Sequence, residues 1–151
     1  MSAPTLQRRT CLRDGLVFAC LPLLVSANAQ AQSNEPNPIA QELKARHLSG
    51  EGLVLDFPPL ADTGNAVPLR IDVRAPSGLT LVALEVILPE NPNPSVIKLR
   101  LVKPQASYTF STRLRLAASQ DAWVVATLSD GSQRAAFAPT VITSSACFDG
   151  T

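Results

Sequence analysis

From Val67 to Arg74 apolar and polar residues alternate along the chain: Leu69, Ile71 and Val73 on one side, Arg70, Asp72 and Arg74 on the other. A period of two residues belongs to a strand with one face in a core and one in water. The period returns over residues 96–102 and again over 108–116, where Phe110, Leu114 and Leu116 point inward. Residues 79–88 are apolar nearly throughout, interrupted by Glu85, and read as a central strand. Residues 53–57, 123–128 and 135–142 supply the remaining strands. Pro58-Pro59, the 61–65 turn, Pro76-Ser77-Gly78, the proline-rich 89–94 and the hairpin signal Asp130-Gly131 punctuate them. About seven short strands joined by Pro/Gly turns predict an all-β, immunoglobulin-like sandwich over residues 53–143.

One stretch follows a different period. Asn37 has the chemistry of a helix N-cap, and Pro38 fits the first helical position, where its missing N–H costs nothing. Ile39 and Leu43 lie four apart on one face, so residues 38–46 read as a short helix within a linker spanning 32–52. Residues 1–31 read as a targeting segment. Paired Arg8 and Arg9 precede an apolar run, 15–25, shorter than the ~20 residues of a spanning helix. Small-x-small sites then predict cleavage after Ala29 or Ala31. The arginine pair resembles a twin-arginine export signal, with a general secretory signal as the alternative, and implies a periplasmic protein. The apolar run continues past Cys20, so no lipid anchor is expected there, nor membrane association after cleavage.

Composition then narrows the chemistry. With Lys+Arg 13 against Asp+Glu 12 the net charge is +1, too little to collect a nucleic acid backbone. Of three cysteines, Cys11 and Cys20 fall within the targeting segment, leaving Cys147 alone in an oxidising compartment. A leftover cysteine there implies intermolecular pairing or a working thiol. The single histidine, His47, reads as a surface residue. A Cys-His enzyme would require it beside Cys147. No glycine-rich phosphate loop, metal-ligand spacing or paired-carboxylate pattern is present, so neither enzyme, metal nor cofactor is predicted. Trp123 and Phe110 read as core residues.

Taken in order, Pro58-Pro59-Leu60-Ala61-Asp62-Thr63-Gly64-Asn65-Ala66-Val67-Pro68, Pro89-Glu90-Asn91-Pro92-Asn93-Pro94, Ser111-Thr112-Arg113-Leu114-Arg115-Leu116 and Asp130-Gly131, closed by a terminal cysteine, resemble the SoxY family of sulfur-oxidation carriers. The resemblance implies an immunoglobulin-like sandwich that pairs with a second one, SoxZ. It also implies a C-terminal cysteine that holds sulfur intermediates during thiosulfate oxidation and presents them to periplasmic enzymes. Cys147 would be the attachment site, on a flexible arm over residues 144–151 that projects roughly 10 Å if extended. That family ends in Gly-Gly-Cys-Gly-Gly, whereas this chain has Ser145-Ala146-Cys147-Phe148-Asp149. This is closer to the related "AACIE arm" paralogues. The small residues before the sulfur are stiffer than glycine; Phe148 adds bulk and Asp149 a negative charge that disfavours an anionic adduct. The alternative function is a non-catalytic binding or assembly module, its cysteine incidental or joining two copies as a disulfide.

Overall fold

The computed structural model of the chain describes residues 37–147. The targeting reading of 1–31, with Arg8 and Arg9, lies outside them, as do Phe148 and Asp149. The first element is helix α1, Pro38–Ala45. Asn37 caps it as its chemistry predicts: Oδ1 accepts from the Ile39 amide at 3.0 Å, satisfying one of the free first-turn donors. Its Nδ2 donates to the Pro89 carbonyl at 2.9 Å, which ties the helix start to the sheet. His47 ends the turn in a left-handed conformation, φ 47°. Among the described residues no helix is long and apolar enough to cross a membrane.

Eight strands follow: β1 Leu53–Asp56, β2 Leu60–Ala61, β3 Val67–Arg74, β4 Leu81–Ile87, β5 Ser95–Gln105, β6 Ser107–Leu114, β7 Gln120–Leu128 and β8 Gln133–Ile142. They form a three-stranded sheet, β1-β3-β6, and a five-stranded sheet, β2-β8-β7-β4-β5. The strand absent from the sequence reading is β2. Ala61 opens the turn expected over 61–65 and Leu60 falls between it and the two prolines, but both pair in parallel with Val141 and Ile142. Prolines cannot donate, yet they accept: the Val141 amide donates to the Pro59 carbonyl at 2.9 Å. Strand β5 also runs further than the pattern suggested, through Pro104. It pairs with β4 at one side and forms the sheet's edge, the place where a proline is tolerated.

The sandwich core takes the inward residues of both sheets. Val67, Leu69, Ile71 and Val73 of β3 face Leu81, Leu84 and Val86 of β4 and Ala122, Val124 and Ala126 of β7. Full burial of a Val, Leu or Ile contributes roughly 1.5–3 kcal/mol. A bulge between Leu81 and Ala83 shifts the alternation of β4 by one residue, so its inward positions change from odd to even. Leu114 and Leu116 are buried and Phe110 half-buried against this core.

Strand β7 is covered on both faces. Its other side carries Trp123 and Val125, which join Leu43 and Ala135 in a smaller core beneath α1. Trp123 is therefore buried as predicted, but under the helix rather than between the sheets. Its ring stacks on Phe137 at 4.6 Å between centroids, within the range favoured by aromatic pairs.

Candidate functional site

Cys147 is exposed and unpaired, and it is the one cysteine among the described residues. The strand that leads to it ends at Ile142. Beyond that point the chain continues along the body of the sandwich. The Thr143 amide donates to the Ala61 carbonyl at 3.2 Å, and the Thr143 hydroxyl donates to the Asp62 carbonyl. The Gly64 amide donates to the Ser144 carbonyl at 2.7 Å, and the Ala146 amide to the Leu116 carbonyl at 2.9 Å. Finally, Nη2 of Arg115 donates to the carbonyl oxygen of Cys147 itself. Ala146 is buried. The segment 144–147, expected to project as a flexible arm, is strapped down up to the cysteine, because its backbone groups find partners on two neighbouring loops.

Gly64 makes the strap possible. The Leu116 amide donates to the Gly64 carbonyl at 2.8 Å, so this residue bonds both the strap and the loop beneath it. A Cβ at this position would lie 2.4 Å from the Leu116 carbonyl oxygen, 2.9 Å from Ile142 Cδ1 and 3.0 Å from the Ala146 nitrogen. Two of these neighbours are backbone atoms, which cannot swing aside. The position requires glycine for closeness of approach, not for its dihedral freedom.

The loop that receives the strap is itself held by a polar frame. Asn91, 6% exposed, donates from Nδ2 to the Arg115 carbonyl at 2.7 Å. Its Oδ1 accepts from the Ala117 amide at 2.9 Å and from Gln120 Nε2 at 3.0 Å. Gln120 Oε1 in turn accepts from the Glu90 amide at 2.9 Å. The proline-rich 89–94 segment cannot supply a ladder, and this asparagine side chain replaces one. The sequence marks Gly64, Asn91 and Arg115 only as turn or strand residues within the stretches that resemble the family, and assigns nothing to Gln120. The available signal was a polar amide flanked by prolines, in a stretch that offers few other donors.

The other predicted candidates lie elsewhere. His47 lines a cleft of about 420 Å³ with Leu43, Trp123, Ala135 and Phe137, at the start of β8. Cys147 follows the other end of that strand. From Ala136 to Ile142 the extended chain covers about 20 Å, so no Cys-His pair forms. Lys44 Nζ sits 5.6 Å from the Phe137 ring centroid and 3.5 Å from Asp121 Oδ2. The indole N–H of Trp123 is buried without a partner. On the opposite sheet, Asp72 accepts from Arg70 Nε at 3.0 Å and from the Thr109 hydroxyl. These bonds, the Arg70 one first, hold its carboxyl below the usual carboxylate range. Among the described residues no group of His, Cys, Asp and Glu is arranged to hold a metal ion.

A cysteine presented at the end of a two-sheet sandwich can act as a nucleophile toward a group brought to it. Comparison with known proteins places this arrangement. The model of the family described as "Sulfur oxidation protein SoxY" matches residues 39–147, ending on the cysteine. Among solved structures, the sulfur carrier protein SoxY from Chlorobium limicola f thiosulfatophilum is similar with a TM-score of 0.56 and 21% identity, over 70% of this chain and 96% of that one. A superoxide reductase (neelaredoxin) from Ignicoccus hospitalis is more distant, with a TM-score of 0.47 and 13% identity over 71% of this chain and 92% of its own. No curated protein sequence matches the chain. The extent of the family match, from the first turn of α1 to Cys147, settles its membership: this chain belongs to the SoxY family of sulfur oxidation proteins.

Proposed function

We propose that this protein is a covalent sulfur carrier, exported to the periplasm, in which Cys147 holds the cargo. The observation that carries the reading is an exposed, unpaired cysteine on which the SoxY family match terminates. A thiolate is the working form. It attacks the outer sulfur of a persulfide, RS–SH, forming Cys–S–SH and releasing RS⁻, a redox-neutral exchange. Joining thiosulfate instead forms Cys–S–S–SO₃⁻, loses the thiol proton and passes two electrons to a redox enzyme of the same system. In both cases the protein supplies presentation, and its partners supply the remaining chemistry.

The partner is a SoxZ-like sandwich. Leu60 and Val141 are side by side in register and stand 60% and 54% exposed on the β2–β8 margin, which leads to the cysteine. Apolar residues at a sheet margin favour association. Two copies joined through Cys147 would be an oxidised, unloaded form of the same protein. The same margin also supports the second reading, an assembly module with an idle cysteine. Mass spectrometry of protein recovered from cells supplied with reduced sulfur compounds separates them. The carrier reading expects a sulfur-containing mass gain on Cys147 and loss of sulfur oxidation in a Cys147→Ser variant. A thiol that always stays bare, with full activity in Cys147→Ser, would leave the assembly module.

A further inference from the structure

We infer that Gly64 and Arg115 form a dock for the cysteine, so that Cys147 rests against the sandwich and must be released before a partner enzyme can take it in. The inference rests on the carrier reading for its purpose, but the dock exists or fails without any cargo. Three features compose it. The Gly64 amide holds the Ser144 carbonyl, the Leu116 carbonyl holds the Ala146 amide, and the Arg115 guanidinium holds the carbonyl of Cys147. Gly64 bonds both the strap and the Leu116 loop that supports it, and even a methyl group there would meet Leu116 O, Ile142 Cδ1 and the Ala146 nitrogen.

The arrangement suits a reversible restraint. Beyond buried Ala146, the strap is held by main-chain bonds near the surface, and Cys147 and Arg115 are both exposed. Contacts of this kind open locally without unfolding the domain. Bonding at the carbonyl restrains the cysteine backbone while leaving the sulfur exposed. Because that carbonyl and the thiol belong to one residue, the guanidinium charge falls inside the ~8 Å screening length of the sulfur. Docked, the thiol therefore meets incoming groups beside a cation; released, it does not. Arg115 is thus a positioning residue whose influence depends on Gly64.

Two measurements on the purified protein test this. Hydrogen exchange reads the Ala146 amide, and paired alkylation rates with iodoacetate and iodoacetamide at low ionic strength read the charge beside the sulfur. The wild-type Ala146 amide is expected to be protected, and Cys147 to favour the anionic reagent more than a peptide of residues 144–151, which carries the same Asp149 charge, does. Gly64→Ala should speed exchange at Ala146 by about tenfold or more. It should also lower the preference for iodoacetate roughly two- to fivefold, the size of an exposed charge interaction, although Arg115 is still present. The Val124 amide should stay protected. Arg115→Gln should lose the same preference, and Arg115→Lys should retain most of it. Unprotected Ala146 in the wild type, or a Gly64→Ala protein unchanged in both readings, overturns the dock. If Gly64→Ala also loses protection at Val124, the arginine pair decides: equal preferences in Arg115→Gln and Arg115→Lys overturn the inference, and a difference in favour of lysine upholds it. Sulfur loading of Cys147 with an undocked wild type would refute the dock while leaving the carrier intact.

Discussion

The two ends of strand β8 are held by different physics. At its start Ala135 is packed with Leu43, Trp123 and Val125 beneath α1, where side-chain burial does the holding. At its finish the chain passes Ile142 and is fixed chiefly by backbone bonds to residues 59–64 and to Leu116, with the Arg115 side chain on the Cys147 carbonyl. The first end is apolar and buried, with a helix laid over it. The second is polar, close to solvent and next to the exposed cysteine. A carrier needs this division: a scaffold that does not yield, and a terminus whose restraints can break one at a time without disturbing it.

The largest effect should come from the apolar end. Trp123 is 4% exposed, and Trp123→Ala should destabilise the protein by about 3–5 kcal/mol, the usual range for a large aromatic removed from a core. Urea denaturation measures this. Trp123→Phe keeps a ring against Phe137 and removes the indole N–H that has no partner, so it should cost less than Trp123→Ala, the remainder being the smaller cavity it leaves. In both variants the native-state alkylation rate of Cys147 should stay at the wild-type value. If Trp123→Ala changes it, the two ends are coupled and the contrast between them fails.

Asn91 probes the polar end. Asn91→Ala strips partners from the Arg115 carbonyl, the Ala117 amide and Gln120 Nε2. Buried groups left unsatisfied cost about 1–3 kcal/mol. The expected loss is of that size in urea denaturation, accompanied by faster hydrogen exchange over residues 115–117 and at Ala146. Unchanged exchange there would mean that the strap holds its support, rather than the reverse.

The same contrast explains what could be read from the chain itself. Burial leaves a periodic trace, so the alternation in β3, the apolar run of β4 and the Asn37-Pro38 helix start were all legible. Trp123 was legible as buried but not as lying under the helix, because periodicity gives a face without naming what covers it. Strand β2 was hidden by Pro58-Pro59, which stop a strand from donating but not from accepting. The dock was hidden more completely. Its bonds are mostly main-chain, and every residue offers the same N–H and C=O, so Ser144 and Ala146 carry no sign of their partners. Cys147 stood out by its rarity, while Gly64, which seats it, looked like any turn glycine. The family resemblance pointed to an arm; side-chain chemistry alone could not show that its first residues are tied down.

The smallest effect belongs to a cluster on the other sheet, and it sharpens the contrast by acting on neither end of β8. The Arg70 and Thr109 hydrogen bonds lower the pKa of Asp72, so the folded state favours its charged form more than the unfolded chain does. A carboxyl depressed in this way adds stability that is present in full above its unfolded pKa, near 4, and is lost as pH falls through the folded value. The cluster is solvent-exposed, so the contribution is small and salt-sensitive. The difference in urea midpoint between wild type and Asp72→Asn should therefore be constant from pH 7 to about pH 5, shrink below about pH 4 and close at lower pH. It should also narrow in high salt, while Ala146 exchange and Cys147 alkylation stay the same in both proteins at pH 7. A difference that persists unchanged at pH 2 would show that Asp72 acts through shape rather than charge. A shift at Ala146 would show that the two sheets communicate, and the independence of the cysteine end would have to be given up.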